Sequence, residues 1–548
     1  MTSAPLPGSE PRNNLLAEAL ACALPEGFRC SAWHLSTTPA LTEALCYPPA
    51  LKSTSTSEKR PSKPLRTYCE KHFLTVSIVH PAQTRHVLVL ALEVYIYTTN
   101  FSTTIFVAKA DSTGYLHLQS TASNFSPIRA ITAAFLNFLV EHRRRPSKQL
   151  VINLFARAQS QYIFPGSVKN SKKHILDDRG LIKWWCKVLN PLLDCHAQSD
   201  STTDSSWERV HGYLVIPGLD QYETRAFVPK TESATCTWSL GHPLESISAY
   251  TRDATNYESV PPRCLIPTYP DDPKARFVEE LEESTSEKAK LLGGWETPST
   301  LDQFWDMMAF RQECSSGRMT GFVWLVFDPP LLSKPTRTQH PNNPTTEPAQ
   351  LPARSRMTAS RLSGRKRKSK KVLKGPIIPR EPRIKTRRVQ YPDRIETPYY
   401  YWPEAGRGRV VLDESGYKRA VELLLHLEFK GIEQAIASTS RWTSEVNMGE
   451  DWSMSVVGEK VIPAQPGSSA PSRTVNDLAG SIQRKRKKDT DPSEENSSAP
   501  VNTLGGGLVR KKVKVDADGE SADAVKINVE PKVNVLGSSM IRKKAKAI

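Results

Sequence analysis

Long hydrophobic runs are missing from this chain of 548 residues. Its most apolar stretch, Val87 to Tyr97, is broken by Glu93 and is too short for the ~20 residues that a membrane-spanning helix needs. Met1-Thr2-Ser3-Ala4-Pro5 has no basic segment leading into an apolar one, so a secretory leader is not expected. Cysteine is sparse. Nine of them lie scattered from Cys22 to Cys314 without a CxxC pair, which excludes a disulfide framework and a thiolate zinc site. The 12 histidines show neither HExxH nor HxH spacing, so no metal is expected. Phosphate loops of the GxxxxGK[ST] kind, GxGxxG turns and GxSxG elbows are absent too.

Acidic residues are thin in one part of the chain only. Residues 1–350 carry 35 Lys and Arg against 34 Asp and Glu, a net charge of +1. Residues 351–548 carry 39 against 23, a net of +16. Such a split points to a folded body followed by basic arms, and to an intracellular, nuclear-type protein with acidic partners.

The first part is patterned. Phe73 to Val79, His86 to Thr98, Thr104 to Ala110, Leu150 to Phe155, Tyr213 to Ile216 and Gly321 to Phe327 are rich in β-branched and aromatic residues and predict strands. Within the second, Leu92, Val94 and Ile96 alternate with Glu93, Tyr95 and Tyr97, which predicts two unlike faces. Ser126-Pro127 opens a helix bearing Ile128, Ile131, Phe135, Phe138 and Leu139. Leu181 to Leu193 predicts another, which Pro191 ends or kinks, and Ser299 starts a third with Phe304, Trp305 and Met308. Strands interleaved with helices, without a strict βαβ period, predict one mixed α/β (α+β) domain.

Composition sets the boundaries. Between Glu347 and Glu381 there is no acidic residue, and Arg365 to Lys371 is densely basic, so 331–374 reads as a disordered insertion in a domain spanning 1–446. Residues 447–548 read as a disordered tail. It holds the cluster Arg484 to Lys488 and a duplication, Val501-Asn502-Thr503-Leu504 to Arg510-Lys511-Lys512 and Val533-Asn534-Val535-Leu536 to Arg542-Lys543-Lys544. Two copies are too few for a solenoid and fit repeated partner-binding motifs. The clusters at 365–371 and 484–488 read as nuclear import signals.

Four stretches could carry chemistry. Lys109-Ala110-Asp111-Ser112-Thr113-Gly114 follows a strand and is either a turn or a ligand-holding strand end. Ser126-Pro127-Ile128-Arg129 is a helix cap or an anion site. Gln161 to Pro165, Lys169 to His174 and Lys183-Trp184-Trp185 combine aromatic and basic residues, as core or as cleft wall. Asp271-Asp272-Pro273-Lys274 places two carboxylates in a Pro-rich turn, structural or able to attract a cation.

Together and in this order, these stretches resemble the fungal chaperone-dependent histone H3 lysine acetyltransferase family (Rtt type), itself related in fold to CBP-type coactivator acetyltransferases. The matching elements are Phe106 to Asp111, Tyr162-Ile163-Phe164-Pro165 with Lys169-Asn170, Lys172-Lys173-His174, Lys183-Trp184-Trp185, Asp271 to Lys274 with Arg276-Phe277, and Phe304-Trp305 through Glu313. The resemblance implies a central sheet wrapped by helices and acetyl-CoA as co-substrate. Its contacts would fall on Ala110, Asp111, Ser112, Arg129, Ala130, Phe155, Gln159, His174, Ile175, Leu176 and Trp184. It makes Tyr162 and Trp185 walls of a substrate tunnel, Asp272 with Asp271 the proton acceptor or electrostatic guide, and Lys274 a site of autoacetylation. Histone H3–H4 is the implied substrate, met through histone chaperones that the basic C-terminal tail engages. The implied setting is nuclear, in replication-coupled nucleosome assembly, DNA-damage tolerance and transcription regulation, without membrane or sequence-specific nucleic-acid binding. Composition alone also fits a non-enzymatic basic chromatin or nucleic-acid adaptor. An acetyltransferase of the other large superfamily would need an RxxGxG/A loop that is not found.

Overall fold

The computed structural model describes residues 15–49, 63–119, 125–197, 207–229, 237–252, 260–291, 294–311, 314, 317–330, 392, 394–447 and 451–462. The chain opens with α1 (Leu15–Ala23), β1 (Arg29–Thr37), β2 (Ala40–Thr42), β3 (Thr67–Val79), β4 (His86–Thr98) and β5 (Ser102–Ser112). It continues with α2 (Pro127–Arg143), β6 (Gln149–Ala156), α3 (Asp178–Ala197), β7 (Arg209–Val215), α4 (Gln221–Thr224), β8 (Thr237–Leu240), α5 (Leu244–Ile247) and α6 (Ala249–Arg252). Then come α7 (Pro273–Ser284), α8 (Glu287–Leu291), α9 (Leu301–Ala309), β9 (Gly321–Asp328), β10 (Val410–Leu412), α10 (Glu414–Leu425), α11 (Ile432–Asn447) and β11 (Met454–Val457).

The strands form one 11-stranded sheet in the order β10-β1-β3-β4-β5-β6-β9-β7-β8, with β11 paired to β1 and β2 to β3. Most pairs are antiparallel; β1–β10, β5–β6 and β7–β8 are parallel. The expected mixed α/β architecture is therefore present. Because β5 and β6 are parallel neighbours, the chain must cross over between them, and α2 makes that crossover. This puts the start of α2 on the side of the sheet where β5 ends, at the C-terminal end of that strand.

Both faces of the sheet are covered. His34, on one side of β1, packs edge-on against Phe135 of α2, while Trp33, on the other, meets Trp442 of α11. On the second face, α7 and α9 contribute Phe277, Val278, Leu281, Phe304, Trp305 and Met308 to a cluster with Phe322, Trp324 and Val326 of β9. The alternation read in β4 sorts side chains correctly, but its polar side is no solvent face. Glu93 and Tyr97 are buried, and Glu93 is held by Lys109 at 3.2 Å, by the Tyr95 hydroxyl at 3.0 Å and by that of Tyr417 at 3.3 Å.

Several expectations shift. Pro191 lies inside α3, which runs on to Ala197. Thr300, one residue later than expected, caps α9 by accepting from the Gln303 amide, while Ser299 donates to the Gln303 side chain. The Pro-rich turn at 270–273 opens directly into α7, with Asp272 as N-cap and Pro273 at the first helical position. The folded body also extends past the boundary set at 446. Alternating burial of Met454 and Val456 seats β11 on the edge of β1, as Ala32 pairs with Met454 and Arg29 with Val457. The basic insertion at 331–374 and the duplicated motifs at 501–548 lie outside the described residues.

Candidate active site

β5 ends in Ala110-Asp111-Ser112, and the turn beyond it can be made only by glycine. Gly114 has φ +87°, and a Cβ there would stand 2.6 Å from the Cα of Lys173. That close approach brings the 167–176 segment against the strand end. Asp111 joins the pieces. Its Oδ2 accepts the amides of Tyr162 (2.8 Å), Ile163 (2.9 Å) and Phe164 (3.1 Å), and its Oδ1 accepts the Ser112 amide and the Lys173 ammonium, both at 2.8 Å. Lys173 also donates to Ser167 Oγ at 2.8 Å. Asp111 and Lys173 are thus engaged within the protein, and their side chains shape the site by holding its segments together.

The result is a cleft of about 420 Å³ at the end of β5. Ala110, Asp111, Ser112, Phe155, Gln159, His174, Ile175, Leu176 and Trp184 line it, as do Tyr162 and Trp185. Arg129 and Ala130 do not. They face a separate groove between α1, α2 and α3, and the helix start instead gives Ser126 and Ile128 to the cleft. Ile128 and Arg129 are consecutive, so they point about 100° apart on the helix and only one of them faces the cleft. Lys109, Leu116, His117, Arg157, Ala158, Ser160, Lys172 and Leu181 are among the other lining residues. Of these, Lys109 and Lys172 belonged to stretches singled out in the sequence, whereas Arg157 and Ser160 gave no signal beyond lying two residues from Phe155 and Tyr162.

The aromatic wall is well braced. Trp184 and Trp185 meet edge to face at 4.9 Å between ring centres, and the core buries most of Trp185. The Tyr162 hydroxyl donates to the Arg157 carbonyl at 2.6 Å. Burial, reinforced by the Asp111 carboxylate and opposed by Arg157, pushes that phenol up to about 12, so it stays protonated near neutral pH.

The paired carboxylates part company. Tyr269 stacks on Phe106 of β5 at 4.3 Å and anchors the loop that follows. Asp271 has φ +60°, and this left-handed residue turns the two neighbouring side chains into different surroundings. Asp271 is two-thirds exposed and lies 3.9 Å from the Lys109 ammonium. Asp272 is fully buried: it accepts the Lys274 amide at 2.9 Å and pairs with the Lys274 ammonium at 2.5 Å. That ammonium, itself 1% exposed, also sits 4.3 Å over the Phe322 ring. Desolvation lowers the Lys274 pKa, with Asp272 opposing the shift. None of Asp271, Asp272 and Lys274 lines the cleft; Asp271 is joined to it only through Lys109.

The Histone acetyltransferase KAT11-type domain family model matches residues 16–150 and 145–445 of this chain. Histone acetyltransferase rtt109 of Aspergillus flavus is 36% identical over 528 residues, which is 87% of this chain and 90% of that protein. The chain belongs to the fungal Rtt109-type histone acetyltransferase family. The Schizosaccharomyces pombe histone acetyltransferase rtt109 is 30% identical over 277 residues, half of this chain and 65% of that one. A crystal structure of Rtt109 from Aspergillus fumigatus superposes with a TM-score of 0.61 at 35% identity, covering 82% of this chain and all of that one. An Rtt109-type protein is an acetyltransferase, so a cleft lined by aromatic, aliphatic and basic side chains has a ready use here. No group of three or more metal-ligating side chains occurs among the described residues.

Proposed function

We propose that this histone acetyltransferase takes its acetyl group from acetyl-CoA and passes it to lysine side chains of histone H3, in H3–H4 presented by a histone chaperone in the nucleus. The observation that carries this reading is the convergence, in one cleft, of Tyr162, Trp185 and all the expected cofactor residues except Arg129 and Ala130. The lining suits a CoA thioester. Lys172 and His174 in the lining favour phosphate, and Phe155, Ile175, Leu176 and Leu181 favour an apolar arm.

Bound there, the thioester supplies an activated acyl carbon. The protein must deliver a neutral amine to it. A lysine titrates near ~10.4 in water, and Phe155, Tyr162, Trp184 and Trp185 would strip that water and bring the value down. Asp271 is the exposed carboxylate beside cleft-lining Lys109, and we assign it the attraction of the ammonium and the passage of its proton to solvent. Asp272 fixes the start of α7 and the buried Lys274, which remains the proposed autoacetylation site. Neutralising Lys274 would remove a desolvated cation next to Asp272.

Incubation with labelled acetyl-CoA and H3–H4, with and without chaperone, followed by mass spectrometry of H3, tests the proposal. Label on H3 lysines is the expected result; a basic chromatin adaptor would transfer none. The duplicated Arg-Lys-Lys motifs on the tail are proposed to engage acidic chaperones by charge and avidity. Deleting 501–548 should weaken chaperone-stimulated acetylation and spare the basal rate. A role in replication-coupled nucleosome assembly and genome stability would follow from that substrate.

A further inference from the structure

The cleft wall between β6 and the 167–176 segment, residues 157–164, belongs to no helix or strand, yet it carries Tyr162. Asp111 pins its far end. Its near end hangs on a carboxylate that no motif in the sequence marks. Asp178 is the first residue of α3, and it is not the residue that caps the helix: Asp177 does so, its Oδ1 accepting the Gly180 amide at 2.7 Å. Asp178 is thereby released to reach sideways. Its Oδ1 accepts the Ala158 amide at 2.8 Å, and its Oδ2 accepts the Met319 amide at 3.1 Å and pairs with Arg318 Nε at 3.2 Å. Arg318 closes the ring by donating to the Ala158 carbonyl at 2.7 Å. Both backbone polar groups of Ala158, a cleft-lining residue, are therefore held by this one ion pair.

Three elements meet at Asp178. The wall brings Ala158, Gln159, Ser160 and Tyr162; α3 brings Trp184 and Trp185 two turns further on; and the segment entering β9 brings Arg318 and Met319. We propose that Asp178, completed by Arg318, is a positioning residue for acetyl transfer: it locks the Tyr162 wall to the tryptophan-bearing helix and so sets the channel through which the acceptor lysine is aimed. Asp178 is 13% and Arg318 48% exposed, so the clamp sits at the surface of the site, where removing one partner leaves the central core packing untouched. The effect belongs on the transfer step, since a displacement of about 1 Å in an aimed pair of reactants costs up to about 100-fold in rate.

This inference rests on the acetyl-CoA reading above, and its test separates the two. The full-length protein and its Asp178→Ala, Arg318→Ala and Arg318→Lys variants are titrated calorimetrically with acetyl-CoA. Single-turnover transfer to H3–H4 is then measured at saturating acetyl-CoA and expressed per bound site. Asp178→Ala should lower the rate per site about tenfold or more, and Arg318→Ala several-fold. Arg318→Lys, which keeps the charge beside Asp178, should stay within about twofold of wild type. Should Asp178→Ala bind no acetyl-CoA because it does not fold, the half-exposed Arg318 pair decides alone. Wild-type rates per bound site in Arg318→Ala overturn the clamp, as does a loss that only follows the number of binding sites. If the wild type itself binds no acetyl-CoA, the functional reading falls first and the clamp with it.

Discussion

Two isosteric changes at neighbouring carboxylates should have opposite signatures. Asp272→Asn retains a good helix cap, because Asn accepts from a backbone amide as Asp does. What it removes is the charge that balances Lys274, and both groups are essentially inaccessible to water. Breaking a buried pair from one side costs about 3–5 kcal/mol, a large share of the ~5–15 kcal/mol that holds a typical domain. With a urea slope of ~3 kcal/mol per molar, the unfolding midpoint should fall by about 1 M or more. Lys274→Met alone should also destabilise, and the double variant Asp272→Asn with Lys274→Met should recover much of the loss, because no unpaired charge remains. Asp271→Asn, by contrast, keeps a residue that tolerates φ +60° and alters an exposed group, so the midpoint should hardly move. Acetyl transfer should divide the other way: several-fold lower kcat/KM in Asp271→Asn, and in Asp272→Asn a loss that follows the folded fraction. Tryptophan fluorescence during urea unfolding, and label transfer to H3–H4 on the same preparations, measure both. An Asp272→Asn protein with the wild-type midpoint would refute the buried-pair argument.

A second buried carboxylate gives a pH test. Burial alone pushes Glu70 up, but Arg143 and His72 outweigh it and hold it at about 2, against an ordinary 4.5. A folded value below the unfolded one means stability that is full above about pH 4.5 and is lost as pH falls towards 2. Glu70→Gln should therefore cost about 3 kcal/mol at pH 7 and flatten the acid limb between pH 4.5 and 2, as read from urea midpoints across that range. Gly114→Ala should weaken acetyl-CoA binding, because the new Cβ would drive Lys173 away from Asp111; calorimetry at equal folded fraction checks it. Asp111→Ala releases four backbone amides, three of them in the cleft wall, at about 1–3 kcal/mol each, so it should be several kcal/mol less stable in urea and lose the cleft as well.

The buried-pair prediction turns on a fact the sequence could not supply, and its reason is local. Pro273 after an Asp is a helix-start signal, yet α7 shows a run of glutamates on its outer side, and its apolar residues Phe277, Val278 and Leu281 are few. The aspartates therefore read as equals in a turn. One backbone dihedral, the positive φ of Asp271, separates them, and no composition rule forecasts it. β1 stayed hidden for a related cause. His34, Ser36 and Thr37 are all buried in it, tolerable only because partners come from distant positions: His72 meets His34 at 2.9 Å, and the Gly408 amide meets Ser36 Oγ at 2.9 Å. By contrast, β4, β6, β9 and α2 were readable because each carries its own evidence, a run rich in β-branched and aromatic residues or a Ser-Pro start with apolar residues at helical spacing.

The same distinction runs through the site. The aromatic members, Tyr162, Trp184 and Trp185, read by type as core or as cleft wall, and it was the resemblance that put them in the site. The charged members could not be assigned by type. Asp111 and Lys173 stand in the middle of the motif that marks the cleft, and each spends its charge on its own chain. Asp178 stands in no recognised motif and does the same at the opposite end of the wall. A loop without regular structure cannot hold a catalytic geometry through its own backbone hydrogen bonds. It needs fixed acceptors at both ends, and a carboxylate is the side chain that can take several amides at once. Charged residues flanking an irregular wall are thus more productively tested as braces than as ligand contacts. The variants that tell the two apart are those whose effect appears in transfer per bound acetyl-CoA and not in affinity.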